Sequence, residues 1–257
     1  MISNTTYNRE VTISKSGIEA TDCEYDIHLP LWAKTKAVIK GKYALEALRL
    51  EKTMTPEYSS NADLDFRKRK EMWWRDGVLF PATQRTHVSL VGMLGAKPPT
   101  VELGQRLSYM EQTADGATAS LHDVVKSIAD DVVGLGRYGA LVDMPYNEGG
   151  LTPEQMAMPQ YAPRIIGYEP WQIINWRIGD NGLIDVRLLE HYEKQTDALS
   201  WESCLQVRRL WINDDGFYVS DIYRDGNLVQ ELSVMPRQSK FGQSGQGLHY
   251  IPFQFFG

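Results

Sequence analysis

The chain has 257 residues, a formal net charge of −6 and a pI of about 5.4, with 42% hydrophobic and 23% charged residues. This is enough chain for one large domain or two small ones around a sizeable core, and it excludes wholesale disorder. The acidic balance excludes a simple nucleic-acid binder, which needs clustered Lys and Arg.

Cys23 and Cys204 are the two cysteines. They form no C-x-x-C, which excludes a zinc ribbon or a thioredoxin-like motif, and they suit a reducing compartment or at most one disulfide. The N-terminus lacks the apolar h-region of a signal peptide. No run reaches the roughly 18 apolar residues of a membrane span.

Residues 1–28 are polar with little periodicity and read as a flexible N-terminal arm. Leu31, Val38, Leu45 and Leu48 then recur near helical spacing, with Gly41 as a weak point. A loop from Thr55 precedes a second helix over about 63–75, which Gly77 breaks. Pro81 suits the first turn of a third helix through Val88, Val91 and Leu94, ending near Gly95. Lys97-Pro98-Pro99 forces an extended exit.

Ser120 with Asp123 is an N-cap signature, and Leu121, Val124, Val125, Ile128, Val132 and Leu135 form a strong amphipathic stripe. From Ala140 the character changes to β-type runs beginning at Ala140, Arg164, Gln172, Leu183, Cys204, Phe217 and Leu228. The turns Asn213-Asp214-Asp215-Gly216 and Arg224-Asp225-Gly226-Asn227 connect the later runs as hairpins. The last four runs read as an antiparallel meander. Helices first and strands second is the α+β pattern, with a helical part over 29–139 and a β-rich part over 140–257. Four large apolar residues in the last seven (Ile251, Phe253, Phe255 and Phe256) call for a partner, either more chain or another subunit.

Gly134, Gly136 and Gly139 spell G-x-G-x-x-G, the fingerprint of a dinucleotide loop. That loop needs a strand before it and a helix after it, so that the helix N-terminus faces the pyrophosphate. Here a helix runs in and a strand runs out, so a phosphate would meet the negative helix end. The three glycines are therefore expected to be a helix cap and turn, with Gly134 or Gly136 at positive φ.

No catalytic, cofactor or metal motif survives inspection. The five histidines are scattered, no H-E-x-x-H, G-x-S-x-G or Walker loop occurs, and the Asp-rich turns lack the ligand pattern of a calcium loop. Arg67, Lys68, Arg69 and Lys70 are the one dense basic run, either a solvated helix face or a contact for phosphate or a partner. In Trp73-Trp74 one ring can look outward.

The segments from Leu31 to Leu50, Met54 to Ser59 and Phe66 to Leu103, then Gly134 to Pro145, Tyr168 to Ile178 and Leu188 to Glu193, carry an ordered likeness. Most of it rests on two pairs. Thr86-His87-Val88-Ser89-Leu90-Val91-Gly92 is followed by Lys97-Pro98-Pro99, and Gly136-Arg137-Tyr138-Gly139-Ala140-Leu141-Val142-Asp143-Met144-Pro145 by Ile173-Ile174-Asn175-Trp176-Arg177. Over about residues 30–193 the chain resembles the N-terminal half of tailed-bacteriophage portal proteins, the head-to-tail connectors.

The resemblance implies a homo-oligomeric ring, typically a dodecamer, at one capsid vertex and beside the major capsid protein. It implies assembly in the host cytoplasm and residence in the virion. Double-stranded DNA would pass through its channel without sequence preference. The terminase large subunit would dock during packaging, and head–tail adaptor or tail proteins later. It implies no catalytic site and no cofactor, and the acidic balance suits a channel that must not grip DNA. Family members are longer, and their second half supplies stem, clip and crown. On this reading the 257 residues are the peripheral wing.

Two alternatives stand beside it. One is another virion head–tail adaptor. The other is an α+β enzyme using Glu190, His191 and Asp143 as acid–base groups, which requires the three to converge.

Overall fold

The computed structural model describes residues 17–47, 72, 75–97, 99–143, 162–180, 182–197, 199–233 and 248–257. The described elements are α1 (Cys23–Lys40), α2 (Lys42–Ala47), α3 (Ala82–Leu94), α4 (Met110–Thr113), α5 (Leu121–Leu135), β1 (Tyr138–Asp143), β2 (Arg164–Tyr168), β3 (Ile173–Gly179), β4 (Gly182–Gln195), β5 (Trp201–Ile212), β6 (Tyr218–Arg224), β7 (Asn227–Ser233) and β8 (Phe253–Phe256). The fold is α+β, as the order of patterns predicts.

Strands β3 to β7 form one antiparallel meander in sequence order. It takes in β3 as well as the four runs expected of it. The Asp225-Gly226 turn between β6 and β7 has both residues at positive φ, the geometry that matches the twist of the flanking strands. A second sheet has the order β2-β1-β8, also antiparallel.

Alternation along the strands sends Val186 and Leu188 of β4 and Leu210 of β5 to one face of the large sheet. There they pack with Leu141, Tyr168, Ile251 and Phe253 of the small sheet and its approach. Leu189, Val207 and Tyr223 point to the opposite face, where α1 covers them with Tyr25 and Trp32. The middle of the large sheet is thus covered on both sides, and Ile173 and Ile174 serve opposite faces across an irregularity in β3. Burying such side chains contributes about 1.5–3 kcal/mol each.

Residues 23–28, expected in the flexible arm over 1–28, are helical. Helix α1 starts at Cys23, because Asp22 accepts a hydrogen bond from the Glu24 amide at 2.8 Å and Tyr25 is buried against the sheet. Residues 23–28 therefore belong to the helical layer. Its buried face is Tyr25, Trp32 and Ala37, while Leu31 is exposed. The single helix expected through Leu48 is two, since Gly41 at φ 92° ends α1 and α2 begins one residue later.

Of the helix expected over 63–75, Met72 and Arg75 are described, both helical. Arg67, Lys68, Arg69 and Lys70, and Trp73-Trp74, lie outside the described residues. Helix α3 runs from Ala82 to Leu94 with Pro81 at its N-cap and Gly95 at its C-cap, and it buries His87 and Val91 instead of Val88 and Leu94.

Helix α5 matches its prediction, with a full capping box between Ser120 and Asp123. Its stripe packs Val124 and Ile128 with Met110, Ala114 and Ile165 of β2. The three glycines do three different things. Gly136 is the left-handed cap at φ 78°, its amide donating to the Val132 carbonyl at 2.9 Å. Gly134 is inside α5, where an added Cβ would lie 3.0 Å from His87 Nε2 and 3.2 Å from Ile39 Cδ1. It lets three helices approach and caps nothing. Gly139 is inside β1, under the Phe253 ring and against Ile173.

The apolar C-terminal residues are covered by this same chain. Phe253 and Ile251 are buried, and β8 pairs with β1 from Tyr138↔Phe256 to Leu141↔Phe253. The segment belongs to the small sheet and not to the meander, because β1 offers it an open edge.

At Gly139 a Cβ would come within 2.8 Å of Ile173 Cδ1 and into the Phe253 ring. The Gly139→Val protein is expected to lose about 1–3 kcal/mol of stability through overpacking. Urea unfolding checks this as a lower midpoint at unchanged slope.

Candidate functional site

The inward rows of four strands change from apolar to charged at the same end. On β1 the row runs Leu141, Asp143, and on β2 Tyr168, Ile166, Arg164. On β4 it runs Val186, Leu188, Glu190, and on β5 Leu210, Arg208, Gln206. Period-two alternation therefore brings a cluster of polar groups between the two sheets.

Arg208 is its centre and is 7% exposed. Its Nε donates to Glu190 Oε1 at 2.7 Å, and its Nη1 donates to Asp143 Oδ1 at 3.3 Å. Tyr168 Oη donates to Glu190 Oε1 at 2.6 Å, and Gln206 Nε2 donates to Glu190 Oε2 at 2.9 Å. Arg164 donates twice to Asp143 Oδ2, at 3.0 and 2.8 Å. Arg224 Nε donates to Gln206 Oε1 at 3.1 Å, and its guanidinium lies 3.9 Å from the Tyr192 ring centre.

Burial works against charge on Arg208, but Glu190, Tyr168 and Asp143 outweigh it and raise its pKa above the ordinary arginine value. Burial first, then the Glu190 charge, pushes the Tyr168 phenol well up. The phenol stays protonated and acts as a donor. Each carboxylate is held by at least two donors, as buried charges require.

The geometry separates the three groups of the acid–base alternative. Asp143 and Glu190 do converge, but on Arg208. His191 points to the other face of β4, where its Nδ1 is 3.3 Å from Ser203 Oγ. A triad of these residues is therefore not formed. Arg208 was legible as a charge on an apolar row of β5, Arg208-Leu210-Ile212, a signal that the run's alternation carries.

Two further clusters tie the helices down. Arg137, inside the G-x-G-x-x-G stretch, places its guanidinium 4.4 Å from the Trp176 ring, 5.5 Å from Phe255 and 5.9 Å from Trp32. It links α1, β3 and β8 by cation–π attraction, worth about 0.5–2 kcal/mol for a well-placed ring. Lys36 of α1 is ion-paired with Glu169, lies 3.8 Å from Asp131 of α5 and sits 4.0 Å from the Trp171 ring centre. His87 Nε2 of α3 is 2.9 Å from the Asp130 carbonyl, to which it donates.

No group of three or more His, Cys, Asp or Glu among the described residues is arranged to hold a metal ion. Cys23 and Cys204 are both free thiols. No helix among the described residues is long and apolar enough to cross a membrane.

Replacing Arg208 with Met leaves Glu190 between the sheets without a cation and Asp143 with Arg164 alone, with an expected loss of about 3–5 kcal/mol. Adding Glu190→Leu to Arg208→Met should recover part of it. Chemical denaturation of the single and double variants checks both expectations.

Burial pushes the Asp131 carboxyl up to about 6; Lys36 and His87 oppose this, while Glu169 and Asp130 add to it. The folded state thus binds this proton more tightly than the unfolded chain, where an Asp titrates near 4. Ionisation of Asp131 therefore subtracts stability as pH rises from about 4 through about 6. The Asp131→Asn protein should gain stability relative to the parent above that window compared with below it. Thermal unfolding at both pH values is the measurement, and an equal difference at the two would contradict it.

No protein-family model matches the chain, and no curated protein is similar to it.

Proposed function

We propose that this chain is a structural subunit of a tailed-bacteriophage portal ring and supplies its peripheral wing. The ring sits at the capsid vertex and forms the channel for DNA packaging and ejection. It docks the terminase large subunit first and head–tail adaptor or tail proteins later. The chain contributes no catalytic group of its own.

The observation that carries the reading is the use of the buried charges. Asp143 and Glu190, the two acids that the strands bring together, are both occupied by Arg208. They hold one sheet to the other, which is a scaffold's use of carboxylates.

The portal-like phrases also fall on joints of the fold. The stretch from Gly134 to Asp143 is the end of α5, its left-handed cap and β1. The Ile173-Ile174-Asn175-Trp176-Arg177 run is β3 with its irregularity, and Leu188 to Glu193 lies in β4. The chain further exposes large apolar side chains on α3 and before it, including Phe80, Val88, Met93 and Leu94, as a subunit of a larger assembly would.

Negative-stain imaging of the concentrated protein tests the proposal. Closed rings with a central channel are expected. A stable monomer at high concentration would overturn it.

A further inference from the structure

Lys36 of α1 faces two acids and serves one of them. Glu169 takes its ammonium in a direct ion pair, and Asp131 of α5 stands 3.8 Å from it. Glu169 is itself fixed at the entry to the 3-10 turn Pro170–Gln172, where its amide donates to Gln172 Oε1 at 2.9 Å. The side chains of Lys36 and Asp131 are each 14% exposed. The Asp131 carboxylate accepts no hydrogen bond from any described residue. Asp143 and Glu190, the carboxylates between the sheets, each have at least two donors. A carboxylate this buried and this poorly served is costly in its charged form.

The remaining groups around Asp131 do not relieve it. Asp130 beside it on α5 has the same charge, and His87 of α3 is engaged with the Asp130 carbonyl. The Tyr138 phenol of β1 is pushed up to about 12 by burial, then by Asp131 and Glu169, and keeps its proton. Burial, with Glu169 and Asp130 adding to it and Lys36 and His87 opposing, places proton loss from Asp131 at about 6.

The helix that carries Asp131 is lightly held. Val124 is the only fully buried residue of α5, and it lies in the N-terminal half. From Asp131 to Leu135 every residue is half-buried. The contacts there are Ile39 of α1 and His87 of α3 against Gly134, and Leu135 beside Tyr25 and Trp32. A helix end with few buried contacts opens locally at low cost.

We propose that the seam between α1 and the C-terminal half of α5 is a proton-controlled latch, shut while Asp131 is neutral and opening locally when Asp131 is ionised. In the open form Asp131 meets water and titrates as an ordinary carboxyl near 4. Below about 4 both forms hold the proton, and above about 6 neither does. Opening is therefore favoured progressively between these values, by up to about 100-fold. The latch does not depend on the ring reading, and either can fail without the other.

Hydrogen exchange at single amides tests it, at pH 4.5 and 7.5 and corrected for the intrinsic exchange rate. The parent is compared with the Asp131→Asn and Glu169→Gln proteins. In the parent, the amides from Asp131 to Gly136 should lose protection at least about tenfold between the two pH values. At pH 7.5 they should also exchange at least about tenfold faster than the amides of β4 to β6, which marks the opening as local. Asp131→Asn should lose most of the pH response. Glu169→Gln leaves Lys36 to Asp131 alone, so the same amides should be better protected than the parent's at pH 7.5.

No response in the parent, or a parent-like response in Asp131→Asn, would overturn the latch. So would α5 amides that exchange no faster than those of β4 to β6. A Glu169→Gln protein protected no better than the parent would overturn the shared ammonium as its cause.

Discussion

The guanidinium of Arg208 holds the two described sheets in one arrangement. It is buried between them and reaches Glu190 on its own sheet and Asp143 on the other. An arginine suits the position because its planar fork stays charged at any pH and can serve two carboxylates at once. Apolar packing between the sheets is close but does not choose partners for charges, since the hydrophobic effect is non-directional. A paired charge at one end fixes the arrangement, because any slip would leave a carboxylate buried without its donors. Arg164, Tyr168 and Gln206 complete the set, so the inward rows of β1, β2, β4 and β5 share one polar end.

The helical layer is attached by a different device. Arg137 leaves the Gly136 cap directly into a group of aromatic rings from α1, β3 and β8. Lys36 does the same for α1 against Trp171, with Glu169 and Asp131 as its counter-charges. In both places a cation lies between elements that are far apart in sequence. The G-x-G-x-x-G stretch therefore has a role in the fold, but its arginine carries as much of it as its glycines. Gly136 turns the chain, Gly134 admits His87 and Ile39, and Gly139 admits the Phe253 ring and Ile173.

Local signals decide the structure where one residue type has one physical consequence. Ser120 with Asp123 marks a capping box, Gly95 and Gly136 end helices, and Asp225-Gly226 closes a hairpin, and each of these is found. They do not decide it where a distant partner does. Residues 23–28 look like arm until Tyr25 is seen buried under α1 against Val207 and Ile174. Val88 and Leu94 share the apolar spacing of α3 with Val91, yet the buried residues are His87 and Val91, and Gly134 of α5 opens a place for the His87 imidazole. The apolar Phe253 to Phe256 segment looks unpartnered, and β1 is its partner across more than a hundred residues.

The sequence alone determined the α+β class, the limits of α5 and the succession of antiparallel hairpins. These follow from periodicity, caps and turn chemistry, which act over a few neighbouring residues. It also singled out Asp143 and Glu190 as polar residues of interest, and it placed His191 with them. Only the tertiary structure decided what they do. A strand's alternation sends residues 190 and 191 to opposite faces, and which face is interior depends on what packs there. Once the small sheet covers one face, Asp143 and Glu190 lose their water and must share Arg208, while His191 remains exposed beside Ser203.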